Sequence, residues 1–100
     1  MEKRRPHHDL SKVKELARCE AVKIVATAAR DAGALGFSRG AIIDVIASLS
    51  NKDFYKSMTA YHDNQCWHDV YRPLTSVGRL YVKLILQDDV LVVVVSFKEK

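Results

Sequence analysis

Two apolar runs, residues 80–86 and 90–97, flank Gln87, Asp88 and Asp89. Strand-length runs around polar turn residues predict a β-hairpin. In the first arm Leu80, Val82, Leu84 and Leu86 alternate with Arg79, Tyr81, Lys83 and Ile85. Side chains on a strand point to opposite faces in turn, so one face seeks a cover. The other face offers an aromatic ring and two cations. The second arm, VLVVVVSF, is apolar on both faces, as suits a central strand. Its apolar run is too short to cross a bilayer as a helix.

The cover comes from the first half of the chain. After a basic, proline-containing lead at residues 1–8, Asp9 is a candidate N-cap. Leu10, Val13, Leu16 and Ala17 follow at helical spacing. Residues 21–26 carry Val22, Ile24 and Val25 and suit a short strand. Thr27 is a candidate cap for a second helix with Ala28, Ala32 and Leu35 on one side, its end weakened by Gly33 and Gly36. Ser38 can cap a third, with Ile42, Ile43, Ile46 and Leu49 on its buried stripe. Residues 53–59 and 66–72 read as strands, the second ended by Pro73. Helices first and strands second predict an α+β fold. A sheet covered on one face leaves the other free for a ligand, and its exposed edge invites strand addition by a partner.

One hundred residues suit one domain. The net charge of +4 permits an anionic partner without requiring one. Cys19 and Cys66 form no CxxC pair; one bridge could be drawn, but nothing else indicates an oxidising compartment. The charged start MEKRRPHHDL lacks the apolar core of a signal peptide, so a cytoplasmic protein is expected.

The most unusual chemistry lies in DFYKSMTAYHDNQCWHDVYR, residues 53–72. Tyr55, Tyr61, Trp67 and Tyr71 are interleaved with Lys56, His62, His68 and Arg72. Rings that stack on bases and cations that meet phosphates suit single-stranded nucleic acid. The plain alternative is a half-buried strand pair with a solvated face. RNA can be cut without metal, because its own 2′-hydroxyl attacks the adjacent phosphorus. The protein must then take one proton, give another and stabilise the added charge. Lys56, Arg72 and Lys98 are candidates for the charge; His68 and Tyr81 are candidates for proton transfer, histidine because its ordinary pKa is about 6.5. Two rivals are weaker. His62, Cys66 and His68 are close enough to ligate a metal but lack a second pair at zinc-finger spacing. A nucleophilic Cys–His site using Cys66 has no supporting signature.

MEKRRPH, LSNKDFYKSMTAYHD, WHDVYRP, GRLYVKL and the terminal SFKEK, in this order, resemble the MqsR family of toxins from end to end. The resemblance implies a RelE-like fold, an antiparallel sheet with helices packed mainly on one face, formed by residues 1–100 as a single ribonuclease domain. It implies an endoribonuclease toxin that cuts single-stranded mRNA without ribosomes, with a preference for GCU-type sites. It further implies an MqsA-type antitoxin whose zinc-bearing N-terminal domain blocks the toxin and whose C-terminal domain binds DNA. The zinc and the DNA contact belong to that partner, so no cofactor is expected in this chain.

Carried over onto matching positions, the resemblance implies Lys56, Tyr81 and Lys98 as catalytic, with Tyr55, Met58 and Arg72 contacting RNA. Lys56 and Lys98 would hold transition-state charge or protonate the leaving oxygen; Tyr81 would position the phosphate or share in proton transfer. Position 68 departs: the family commonly has Gln, and His68 can add acid–base chemistry or simply hydrogen-bond in its place. The last strand also reads two residues longer than usual. A simple turn at Asp88 and Asp89 would set Ser96 opposite Tyr81 and move Lys98 about 7 Å along, at roughly 3.4 Å per residue. A bulge or a longer turn would restore Lys98 to Tyr81. Two other readings stand beside the ribonuclease. One is a RelE-like module that binds RNA or antitoxin without cutting; the other is a structural protein with no RNA role.

Overall fold

The computed structural model describes residues 1–60 and 63–99. Helices α1 (Leu10–Arg18), α2 (Ala26–Ala34) and α3 (Arg39–Ala47) cover one face of a sheet. Its strands are β1 (Glu2–Lys3), β2 (Val22–Ile24), β3 (Phe54–Ala60), β4 (Asp63–Tyr71), β6 (Gly78–Gln87) and β7 (Leu91–Glu99). They run in the order β1-β3-β4-β6-β7-β2, and the short β5 (Leu74–Thr75) pairs with the start of β6. All pairings are antiparallel except that of β2 with β7. This is the expected α+β architecture with its helices on one side. No helix among the described residues is long and apolar enough to cross a membrane.

Local signals place the helices. The Asp9 carboxylate accepts the Ser11 N–H at 3.0 Å, and the Ser38 hydroxyl accepts the Ala41 N–H at 3.2 Å. Helix α2 starts earlier than Thr27: its cap is Val25, whose N–H is already bonded to Val94 of β7. Strand pairing thus sets that helix start where no capping side chain does. Gly36, at φ 88°, closes α2, with Phe37 N–H returning to the Ala32 carbonyl and Gly36 N–H to Gly33. Only glycine adopts that backbone freely. Ile42, Ile43, Ile46 and Leu49 are buried against Leu80, Val82, Leu84, Val92, Val94 and Phe97, as their spacing predicts.

The hairpin register resolves the question of Lys98. Tyr81 faces Lys98, and Ser96 faces Lys83. Two local irregularities take up the extra length. Asp88 and Asp89 sit at φ 57° and 55° in a tight turn closed by Val90 N–H to Gln87 carbonyl, and the ladder resumes only at Gln87–Leu91. A second shift falls between Lys83–Ser96 and Leu84–Val94, leaving Val95 as a bulge.

The basic lead is built into the fold, which its composition does not indicate. Glu2 and Lys3 pair with Met58 and Ser57, so β1 covers part of the β3 edge of the sheet. Buried Asp69 holds the lead down: its carboxylate accepts the N–H of His7 at 3.0 Å, the N–H of His8 at 2.8 Å and the Ser57 hydroxyl at 2.7 Å. The His7 ring stacks on Trp67 at 5.3 Å, and Lys3 lies 4.3 Å from the same indole centre.

Two stability predictions follow from this architecture. Asp69→Ala strands two backbone donors and a hydroxyl, and is expected to cost about 3 kcal/mol in urea unfolding; a loss under 1 kcal/mol would show that the lead anchors itself by other means. Asp88→Asn with Asp89→Gly supplies residues that accept left-handed backbone, and should add about 0.5 kcal/mol. A lowered midpoint would mean the aspartates contribute something the turn geometry does not explain.

Candidate functional site on the open sheet face

The helices leave one face of the sheet uncovered, and the register decides which side chains stand there. Lys56 pairs with Val70, Val70 with Lys83, and Lys83 with Ser96. These four form one row across β3, β4, β6 and β7, with neighbouring Cβ atoms roughly 5 Å apart. Tyr81 and Lys98 form the adjacent pair on one side of the row; Met58 and His68 form the pair on the other. Lys56, Met58, Val70, Tyr81, Lys83, Ser96 and Lys98 line a cleft of about 250 Å³. Val70 is fully buried there although no helix lies over it, so the stems of its lysine and methionine neighbours cover it.

A second bulge gives the face its aromatic end. Register shifts between Phe54–Tyr71 and Lys56–Val70, leaving Tyr55 as the extra residue. Phe54 turns to the core, where it meets Tyr71 edge-on at 5.5 Å, while Tyr55 and Lys56 both stand on the open face. The Tyr55 ring meets Tyr81 edge-on at 5.9 Å and carries the Arg72 guanidinium 4.6 Å from its centre. Arg4 and Lys56 approach the same ring at 5.7 and 5.3 Å. Tyr55 therefore holds Tyr81 and Arg72 in place, whatever else it contacts.

The sequence-derived candidates thus fall into three groups. Lys56, Met58, Tyr81 and Lys98 share the cleft. Tyr55 and Arg72 stand together beside Tyr81. His68 is half-buried on the same face beside Met58, outside the cleft wall. Burial above all, then the charges of Lys83 and His8, push its pKa below the ordinary histidine value, against the pull of Asp69. His68 is therefore mostly neutral at neutral pH.

Three neighbours escaped sequence reasoning. Glu2, delivered by β1, forms an ion pair and hydrogen bond with Lys56. That bond raises the Lys56 pKa and lowers that of Glu2. A carboxylate 54 residues away along the chain left no local signal. Lys83 and Ser96 complete the central row. Alternation on the hairpin was the available clue; it had already put Lys83 on the face left free for a ligand, without singling it out.

Cys19 and Cys66 are both free. Of the spacing His62, Cys66 and His68, His62 lies outside the described residues. Among the described residues no three His, Cys, Asp or Glu side chains gather as metal ligands would.

The family model described as "Motility quorum-sensing regulator, toxin of MqsA" matches residues 5–99. The mRNA interferase toxin MqsR of Escherichia coli (strain K12) is 47% identical over 100 residues, covering 100% of this chain and 100% of the relative. With the cationic sheet face and these matches together, the chain belongs to the MqsR toxin family.

Proposed function

We propose that this protein is an endoribonuclease toxin: a single domain across residues 1–100 that acts in the cytoplasm and cuts single-stranded mRNA without ribosomes or metal. The observation that carries this reading is the gathering of Lys56, Tyr81 and Lys98 with Lys83 in one cleft on an otherwise uncovered sheet face. The relative's name, mRNA interferase, supports the same activity here. GCU-type sites are the expected target.

In this mechanism the 2′-oxygen forms a bond to phosphorus and the bond from phosphorus to the 5′-oxygen breaks, leaving a 2′,3′-cyclic phosphate. Neutral His68 takes the 2′-hydroxyl proton. Lys56 keeps its proton, because Glu2 stabilises the ammonium, and so serves as a fixed positive charge for the phosphorane. Tyr81 donates a hydrogen bond to the phosphate. Lys98, more exposed at the edge of the cleft, protonates the departing 5′-oxygen. Tyr55, Met58 and Arg72 flank this group and contact the neighbouring nucleotides.

An MqsA-type antitoxin, with its zinc in its own N-terminal domain and its DNA contacts in its C-terminal domain, would neutralise the toxin by covering this face. Because β1 occupies the β3 edge, strand addition on that side would extend β1 or displace it.

Purified protein should cut GCU-containing RNA in EDTA and leave cyclic-phosphate ends. Folded protein that leaves the RNA intact would favour the binding module that does not cut. Lys56→Ala and Tyr81→Ala should each lower the saturating rate by roughly 100-fold; full activity in either folded variant removes that residue from the mechanism. The rate should rise with pH along a limb lying below the ordinary histidine pKa, because a depressed pKa leaves the base ready at lower pH. His68→Gln should abolish that limb. An unchanged profile in His68→Gln would mean His68 only hydrogen-bonds.

A further inference from the structure

Lys83 occupies the most constrained position on the open face. Its strand β6 is paired on both sides at this residue, with Val70 across one ladder and Ser96 across the other. Lys56 and Lys98 differ from it. Lys56 shares its ammonium with Glu2, and Lys98 is exposed near the end of β7. Lys83 is half-buried in the cleft, and the ion pairs among the described residues, Lys12–Glu15 and Lys56–Glu2, do not include it. Across the row, Lys56 and Lys83 flank Val70 from opposite sides. A cleft with a cation on either side of an apolar floor and a tyrosine one step along suits a phosphodiester resting on that floor and the doubly charged, five-coordinate phosphorane formed from it.

We propose that Lys83 is a further catalytic residue, its ammonium contacting a non-bridging oxygen of the scissile phosphate above Val70, opposite Lys56. This rests on the ribonuclease reading and deepens it. The centre of the site becomes the row Lys56, Val70, Lys83, with Tyr81 and Lys98 along one side and His68 along the other. Lys83 stabilises the phosphorane without giving up a proton. Its charge also acts on His68, together with His8 from the lead, while Asp69 on β4 opposes both.

A structural role would look different. The Lys83 stem helps to cover Val70, and losing that cover would harm folding alone. Lys83→Met keeps the cover and removes the charge; Lys83→Arg keeps the charge and alters its geometry. Each variant would be compared with wild type in single-turnover cleavage of a GCU-containing RNA, and in affinity for the same RNA with a 2′-deoxy residue at the cut site. Binding of uridine vanadate, which mimics the phosphorane, supplies a readout that does not need cleavage.

Lys83→Met is expected to melt within a few degrees of wild type, to bind the deoxy RNA within about threefold, and to cut roughly 100-fold more slowly at saturation. It should lose at least tenfold in affinity for uridine vanadate. Lys83→Arg should recover part of both losses. The His68 pKa, followed by proton NMR, should rise in Lys83→Met. A Lys83→Met protein that cuts at the wild-type saturating rate and loses only RNA affinity would overturn the proposal, leaving Lys83 as a backbone contact. If Lys83→Met melts much earlier, Lys83→Arg decides: a stable Lys83→Arg protein that keeps part of the rate and of the vanadate affinity supports the proposal, and a stable one that keeps neither overturns it. Wild-type protein that binds uridine vanadate through Lys83 yet cuts no RNA would keep the phosphate site and remove the ribonuclease reading. Failure of wild type to bind the vanadate would overturn the phosphate contact itself.

Discussion

Burial of Leu80, Val82 and Leu84 beneath the helices governs most of what this molecule can do. All three are essentially inaccessible to water. A one-residue slip of β6 would bring Tyr81 and Lys83 into the core and turn the leucines out, so register is held by the full weight of the apolar contacts. Because β6 pairs with β4 on one side and β7 on the other, that register is passed to both neighbours. Val70, Ser96 and Lys98 take their places relative to β6, and the cleft is a by-product of core packing.

Simple alternation would put every second residue on the open face, and the bulges change that. At Tyr55 a single extra residue lets a ring and a cation stand side by side where a regular strand would show one of them. At Val95 another offsets the hairpin so that Lys98 reaches Tyr81. Bulges near chemistry are a recurrent way to re-aim side chains without rebuilding a sheet. The charge arrangement is similarly economical. Glu2 fixes Lys56 as a permanent cation, while burial and Lys83 favour neutral His68, so two basic groups a few residues apart on paired strands are pushed toward opposite proton states.

The legible part of this design was whatever repeats with a period. The amphipathic stripes of α1 and α3, the caps at Asp9 and Ser38, and the alternation from Arg79 to Leu86 were all readable, because local backbone geometry imposes them. The resemblance of KDFYKSMT, YVK and SFKEK to one toxin family pointed to Lys56, Tyr81 and Lys98, which the structure gathers. What escaped was set by tertiary contact. The pairing of β1 with β3, the parallel pairing of β2 with β7 and the start of α2 at Val25 all depend on partners far away in sequence. Glu2 looked like one charge in a basic lead. Its role follows only once Asp69 has drawn His7 and His8 onto β4.

The strand that carries Lys98 also carries Val92, Val94 and Phe97, which are buried among the helices, and it joins β2 to the rest of the sheet. During synthesis, then, everything up to Gln87 can leave the ribosome without a completed core or a complete cleft. Strand β7 closes both at once. A chain interrupted before that point would lack Ser96 and Lys98 from the cleft and the strand that ties β2 to the sheet, so core and cleft stand or fall together.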